Sequence, residues 1–225
     1  MMVKKDFHFT PVGIADDFCS IQEPDYGNPE KGLGNPRGVY KVDLTVPSKD
    51  AQPLINKITK LHEENYAAIC EQFEVDRPAL LAKQAPGKKL LEPSEGNMPY
   101  FINDDGTVTF KFSCYGSYVD KRTEALKPWP LTVVDSQGKR IEEVPAIAGG
   151  SELKARFSMF AYGFSAVAGV SVKLQLDSVM LLKLVEFGGG DDDFSGGWVS
   201  EAVEGGFETA RAAWDTMVDK LPRFR

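Results

Sequence analysis

A two-residue alternation of apolar and polar side chains recurs along most of this chain and limits what it can fold into. From Val39 onward, Tyr40, Val42, Leu44 and Val46 fall on one side and Lys41, Asp43 and Thr45 on the other. Successive side chains of a strand point to opposite faces, so the segment reads as a half-buried strand. After the turn signal Asp105-Gly106, a second run sets Val108, Phe110, Phe112 and Cys114 against Lys111, Ser113 and Tyr115. A third strand, LTVVD from Leu131, meets a hairpin signal at Gln137-Gly138, and a fourth region is KRIEEVPAI. In the fifth, ELKARFSMFAY, Leu153, Ala155, Phe157 and Met159 take the core side, with Lys154, Arg156, Ser158 and Tyr162 opposite. The sixth sets Val170, Val172, Leu174 and Leu176 against Ser171, Lys173, Gln175 and Asp177, then turns uniformly apolar to Phe187 and is expected to end buried.

One helix interrupts the strands. Leu54, Ile58, Leu61, Ile69 and Phe73 recur at helical spacing, with Asp50 placed to cap and Pro53 in the first turn, which predicts a helix over about 51–75. Residues 23–38, dense in Gly, Pro and Asn, read as an ordered loop carrying Tyr26 and Arg37. Residues 77–99 read as a long irregular connection with a basic cluster of Arg77, Lys83, Lys88 and Lys89. Many short strands around one medium helix is the pattern of a small Greek-key barrel or a sandwich.

The body is expected to end near residue 187, because GGGDDDFSGG from Gly188 reads as a flexible acidic hinge. Beyond it, Val203, Phe207, Ala210, Trp214, Met217 and Leu221 mark the apolar stripe of a helix. From Gly188 the tail holds eight acidic and four basic residues, a net of −4, which leaves −3 of the total −7 for the body. Attraction to a polyanion therefore has to come from a local basic surface.

Composition excludes several classes. With 42% hydrophobic and 26% charged residues the chain can bury a core, and 21 Gly with 14 Pro fall short of low complexity. No stretch reaches the run of about eighteen apolar residues that a membrane helix needs, and the first residues lack an apolar signal region, so a soluble, unexported chain with no membrane partner is expected. Cys19, Cys70 and Cys114 are odd in number and widely spaced, which argues against a disulfide framework and a structural zinc site and fits a reducing compartment.

Catalysis, cofactors and metals find little support. HEENY at His62 lacks the second His of a zinc-peptidase helix and reads as a solvated helix face. Gly32, Gly34 and Gly38 precede a strand where a nucleotide loop would follow one, and Gly87-Lys88-Lys89 lacks the remainder of a phosphate loop. Three successive carboxylates, Asp191 to Asp193, cannot converge on a cation as dispersed ligands do. The constellation that remains is the polar face of the strands. Lys111 and Tyr115 share one face, and Lys154, Arg156 and Tyr162 share another. Cations with flat rings are what a single-stranded nucleic acid groove needs, because cations follow phosphates while rings stack on bases whatever their sequence. Arg37, Lys83, Lys88 and Lys89 are read as loop contacts to the backbone of the strand.

The segments PDYGNPEKGLGNPRGVYKVDLTVPSKD, HEENYAA, EGNMPYFINDDGTVTFKFSCY, TVVDSQGK, VPAIAGGSELKARFS and GVSVKLQLDSVMLLKLVEFGGGDDD resemble, in the same order, the single-stranded DNA-binding proteins of T7-type bacteriophages, over residues 24–193. The resemblance implies an oligonucleotide/oligosaccharide-binding (OB) barrel with one helix. It also implies binding of single-stranded DNA without sequence preference in replication, recombination and repair, strand annealing, and contacts with the phage DNA polymerase and helicase-primase in the host cytoplasm. Lys111, Tyr115, Lys154 and Tyr162 match family positions that look like DNA contacts. Ser113 stands where the relative has a second Lys, Gly163-Phe164 replaces a Lys-Trp pair, and Pro86 falls where an Arg would align, which together lead us to expect a weaker electrostatic grip.

The resemblance also implies an acidic tail ending in an aromatic residue that recruits partners and competes with DNA. Here the tail carries Asp191, Asp192, Asp193 and Phe194, then Phe207 and Trp214, and ends Pro222-Arg223-Phe224-Arg225. Its helix is expected to dock on a partner or on a second copy, giving a homodimer. The competing readings are a replisome adaptor whose tail binds the polymerase while DNA contact is incidental, and a nuclease, for which no carboxylate or His cluster on a rigid element is visible.

Overall fold

The alternating runs become strands whose apolar faces close on one another. In the computed structural model, which describes residues 6–84, 87 and 89–185, the order is β1 (Phe7–Phe9), β2 (Gly13–Ala15), β3 (Ser20–Asn28), β4 (Leu33–Pro47), α1 (Ser48–Lys83), β5 (Tyr100–Ile102), β6 (Thr107–Tyr115), β7 (Ser117–Val119), β8 (Leu126–Pro128), β9 (Thr132–Val134), β10 (Glu152–Tyr162) and β11 (Ser171–Lys183). Strand β2 pairs with β4, β4 with β6, β6 with β11, β11 with β10, and β10 returns to β2. The circuit is a closed five-stranded barrel of OB type, mainly antiparallel with a parallel β6–β11 contact, and closure removes the sheet edges. Its interior holds Phe110, Phe112 and Phe157, each at most 1% exposed, with ring centroids 4.9 Å apart for Phe112 and Phe157.

Helix α1 plugs one end of the barrel through Ala51, Leu54, Ile58 and His62, whose spacing of three and four residues keeps them on one face. It is longer than the periodicity predicts at both ends. Pro47 occupies the N-cap position, so Asp50 lies in the first turn, where a carboxylate complements the helix dipole. At the other end the helix continues past Pro78 to Lys83, because Pro78 removes a single backbone donor while Arg77 clasps Glu74 and Glu92, each at 3.0 Å. His62 is a correction: it is 3% exposed, stacked on Tyr66 and 3.8 Å from Glu95, where a solvated position was expected.

Two other expectations change. Residues 23–38 form most of a β-hairpin, β3 and the start of β4, around a single 3-10 turn at Pro29–Lys31 whose Asn28 side chain caps Lys31 N–H at 3.2 Å. Gly38, at φ 61°, supplies the left-handed backbone where Pro24 and Tyr26 of β3 pack too close for a Cβ, beside the register shifts of the pairing, so the glycine content marks a bulged hairpin here. The KRIEEVPAI region forms no strand: it meets β9 only at an isolated bridge between Arg140 and Val134, after a turn in which the Asp135 carboxylate accepts from the Gln137 and Lys139 N–H groups. The apolar end of β11 is covered as expected, with Met180 and Val134 forming a small outer cluster against Phe9 and Leu182.

Pro86, Lys88 and the whole tail, including Asp191, Asp192, Asp193, Phe194, Phe207, Trp214, Leu221 and Phe224, lie outside the described residues.

Candidate nucleic-acid interface

With the barrel interior filled, the outward-facing positions of β6, β11 and β10 form one surface, because these strands are neighbours. Leu174 and Gln175 pair with Phe112 and Ser113 in parallel, while Ser158, Phe160 and Tyr162 lie opposite Gln175, Lys173 and Ser171. Lys111 and Lys173 lie just before this pairing, where the Lys111 N–H turns to the Pro99 carbonyl at 2.9 Å, so the two lysines share the outward face of neighbouring strands without being paired. Each ammonium lies 5.3 Å from a ring centroid, Lys111 over Phe101 and Lys173 over Tyr115. Among the described residues neither lysine is engaged in an ion pair, whereas Lys41 on the neighbouring strand is held by Asp25 at 2.6 Å.

Arg37 completes this cluster. Its guanidinium carbon lies over the Tyr115 ring, 3.7 Å from the centroid, and the group donates to the Ser117 carbonyl through Nη2 at 2.9 Å and Nε at 3.3 Å. The Ser117 hydroxyl returns a bond to the Arg37 carbonyl at 2.8 Å, which fixes the arginine before any ligand arrives. The sequence reading has Arg37 on a loop, and the structure places it on β4. Beside it the edge of β11 changes partner, from β6 at Leu174–Gln175 to β9 at Ser178–Met180. The gap left at the change is a cleft of about 220 Å³ lined by Arg37, Tyr115, Ser117, Tyr118, Trp129 and Gln175.

The other expected residues separate. Tyr162 shares the outer face, two positions beyond Phe160 and so about 7 Å along the strand, half-buried beside a groove lined by residues 94–97 and 166–169, with its carbonyl accepting from Asn65 Nδ2 at 3.1 Å. Lys154 is six positions from Phe160, about 20 Å away. It opens on a different groove, of about 570 Å³, shared with His8, Lys49, Asp50 and Lys57, and burial pulls its pKa down. Lys83 stands in the last turn of α1, where a loop was expected, and Lys89 lies in the irregular segment after it; neither lines the cleft nor sits on the strands that carry Lys111 and Lys173.

Arg156 is the clear correction. Alternation puts it on the outer face correctly, yet β1 runs alongside β10 there, pairing Phe9 with Arg156 and Phe7 with Ser158. The Phe7 ring lies 3.9 Å from the guanidinium carbon, Asp177 approaches Nε at 3.4 Å, and the residue is 3% exposed. A guanidinium so roofed by a ring and matched to a carboxylate is held in a structural ion pair and presents almost no surface to a phosphate.

Sequence reasoning missed Lys173, Phe160, Phe101 and Trp129. The aromatic three are 59%, 42% and 52% exposed in that order. Lys173 and Phe160 carried a usable signal: both occupy polar-face slots of alternating runs, and a Phe in such a slot is an aromatic ring held in water. Asp43 lies directly across from Lys111 on β4, and Asp177 lines the cleft with Arg37; burial raises the Asp43 pKa, while Lys111 pulls the other way.

A closed OB-type barrel whose outer face interleaves cations with exposed rings defines an oligonucleotide-binding class of module. Residues 12–184 match the model of the family described as "Single-stranded DNA-binding protein, Bacteriophage T7". The chain belongs to that family. It is 51% identical over 214 residues to the single-stranded DNA-binding protein of Escherichia phage T7, covering 94% of this chain and 88% of the relative. The corresponding protein of Enterobacteria phage T3 is 49% identical over 211 residues, covering 93% and 88%. The crystal structure of gp2.5, a single-stranded DNA-binding protein encoded by bacteriophage T7, superimposes with a TM-score of 0.71 at 46% identity, covering 84% of this chain and 98% of that one.

Proposed function

We propose that this protein coats single-stranded DNA without sequence preference, holding phosphates with Lys111, Lys173 and Arg37 and stacking bases on Tyr115, Phe160 and Tyr162. The observation that carries the reading is the pair of outward lysines on adjacent strands, flanked by exposed rings. Two cations on one outward face, neither held by a carboxylate at ion-pair distance among the described residues, attract the phosphates of a strand that crosses it. The rings alongside supply flat surfaces that any base can use. Lys154, with Lys49 and Lys57 in the second groove, and Lys89 are assigned secondary contacts further along the strand.

Family membership supports the wider role: strand annealing, work in replication, recombination and repair in the host cytoplasm, and recruitment of the phage polymerase and helicase-primase by a tail unit of residues 188–225. The function is non-catalytic. Titration with an oligonucleotide and with its duplex tests the core of this reading. Preference for the single strand is expected, with log K falling against log salt at a slope at least as steep as about −2, from about −0.7 for each of the three phosphates held by Lys111, Lys173 and Arg37, and steeper where the secondary contacts engage. Equal affinity for duplex, or a slope near zero, contradicts it.

A further inference from the structure

The cleft where β11 exchanges β6 for β9 has a composition the phosphate contacts do not explain. Trp129 stands on its rim, 52% exposed, with its ring edge-on to Tyr118 at 5.5 Å and 84°. Its backbone is fixed by Pro128 and Pro130 on either side and by a 2.7 Å bond from its N–H to the Gly116 carbonyl. An indole half in water leaves flat apolar area on which the face of a ligand ring can still be buried. Around it the cleft supplies a preset cation at Arg37, a phenol at Tyr115, and groups able to meet a base edge: the Gln175 amide, the Asp177 carboxylate, whose charge is matched by Arg156 at 3.4 Å, and the Ser117 hydroxyl, which donates to the Arg37 carbonyl and can still accept.

We propose that this cleft is a nucleobase pocket, in which Trp129 stacks one base of the bound strand beyond the row formed by Tyr115 and Phe160. The assignment rests on the single-strand reading and adds a subsite to it. Occupancy by a base follows from the contents: flat aromatic walls for the ring, hydrogen-bonding groups for its edge, and a guanidinium beside the stack for the phosphate attached to it. A purely apolar partner would leave Gln175, Ser117 and Arg37 facing hydrocarbon. The indole is a stacking surface, so the pocket is tolerant of base identity.

The test uses the full chain. Replacing Trp198 and Trp214 by Phe leaves Trp129 as the single tryptophan, and its fluorescence is followed while an oligothymidylate is added. Strong quenching that saturates with binding is expected. In the otherwise native chain, Trp129→Ala should weaken oligothymidylate binding by about 5- to 150-fold, the equivalent of about 1–3 kcal/mol for a stacked base, with an unchanged salt slope, and Trp129→Phe should restore part of the loss. Unchanged fluorescence at saturation, together with an affinity for Trp129→Ala within twofold of the parent, overturns the pocket. If the parent binds no single strand, the underlying reading fails. If Lys111→Ala weakens binding while Trp129→Ala does not, the pocket alone fails.

Discussion

Replacing Arg156 by Met separates a structural cation from a DNA-contacting one. Met keeps most of the stem while removing the charge. Among the interactions that go with it are the guanidinium on Phe7 at 3.9 Å and the ion pair with Asp177 at 3.4 Å. A desolvated cation–π contact is worth about 2 kcal/mol. Stripping the partner from a buried pair costs about 3–5 kcal/mol, but the Asp177 side chain is 31% exposed and can be rehydrated, which puts its share well below that range. The two together suggest a loss of about 2–3 kcal/mol. For a domain of this size that lowers Tm by about 4–12 °C, at about 2–4 °C per kcal/mol. Differential scanning calorimetry reads the stability, and oligonucleotide titration at several salt concentrations reads the grip on DNA. The expected result is a lowered Tm with the salt slope unchanged at temperatures where the variant is folded. A variant with native Tm and a slope shallower by about 0.7 would show that Arg156 holds a phosphate and that its burial under β1 has been misread.

Lys111→Ala and Lys173→Ala should each make the salt slope shallower by about 0.7, seen by titration, with little change in Tm because neither is engaged in an ion pair among the described residues. Tyr115→Ala removes a stacking ring while the Ser117 carbonyl still holds Arg37, so it should cost about 1–3 kcal/mol of binding while leaving the slope nearly intact. Asp43→Asn removes the carboxylate across from Lys111 and should tighten binding at low salt. It has a pH signature as well. Because burial raises the folded-state pKa of Asp43 above its unfolded value, the protonated side chain favours the fold at acid pH, and that contribution is lost as pH rises through the folded pKa. Denaturant unfolding should find the Asn variant at least as stable as the parent at neutral pH, with any advantage shrinking as the solution is acidified into the carboxylate range.

Period-two alternation was legible wherever a strand has one wet face. It assigns Lys111 and Tyr115 to the outside of β6 and the three core phenylalanines to the inside, since parity is a local property of the chain. What lies on top of an outward side chain is not local. Arg156 and Lys173 have the same parity signal, and only the pairing of β1 with β10, some 150 positions apart in sequence, roofs one and leaves the other open. Glycine and proline misled in the same way: between 23 and 38 they shape a bulged hairpin, and Pro78 fails to stop α1 because an arginine clasp outweighs one missing donor. The cleft at Trp129 had no sequence signature, because it exists only where two non-adjacent strands hand over the same edge of a third.

Lysine footprinting tests the central claim most directly. The full chain is acetylated with and without saturating single-stranded oligonucleotide, and each lysine is quantified by mass spectrometry. The account predicts strong protection of Lys111 and Lys173, with Lys83 on α1 and Lys121 beyond β7 labelled as in the free protein. Equal labelling of Lys111 and Lys173 in the two samples would contradict it.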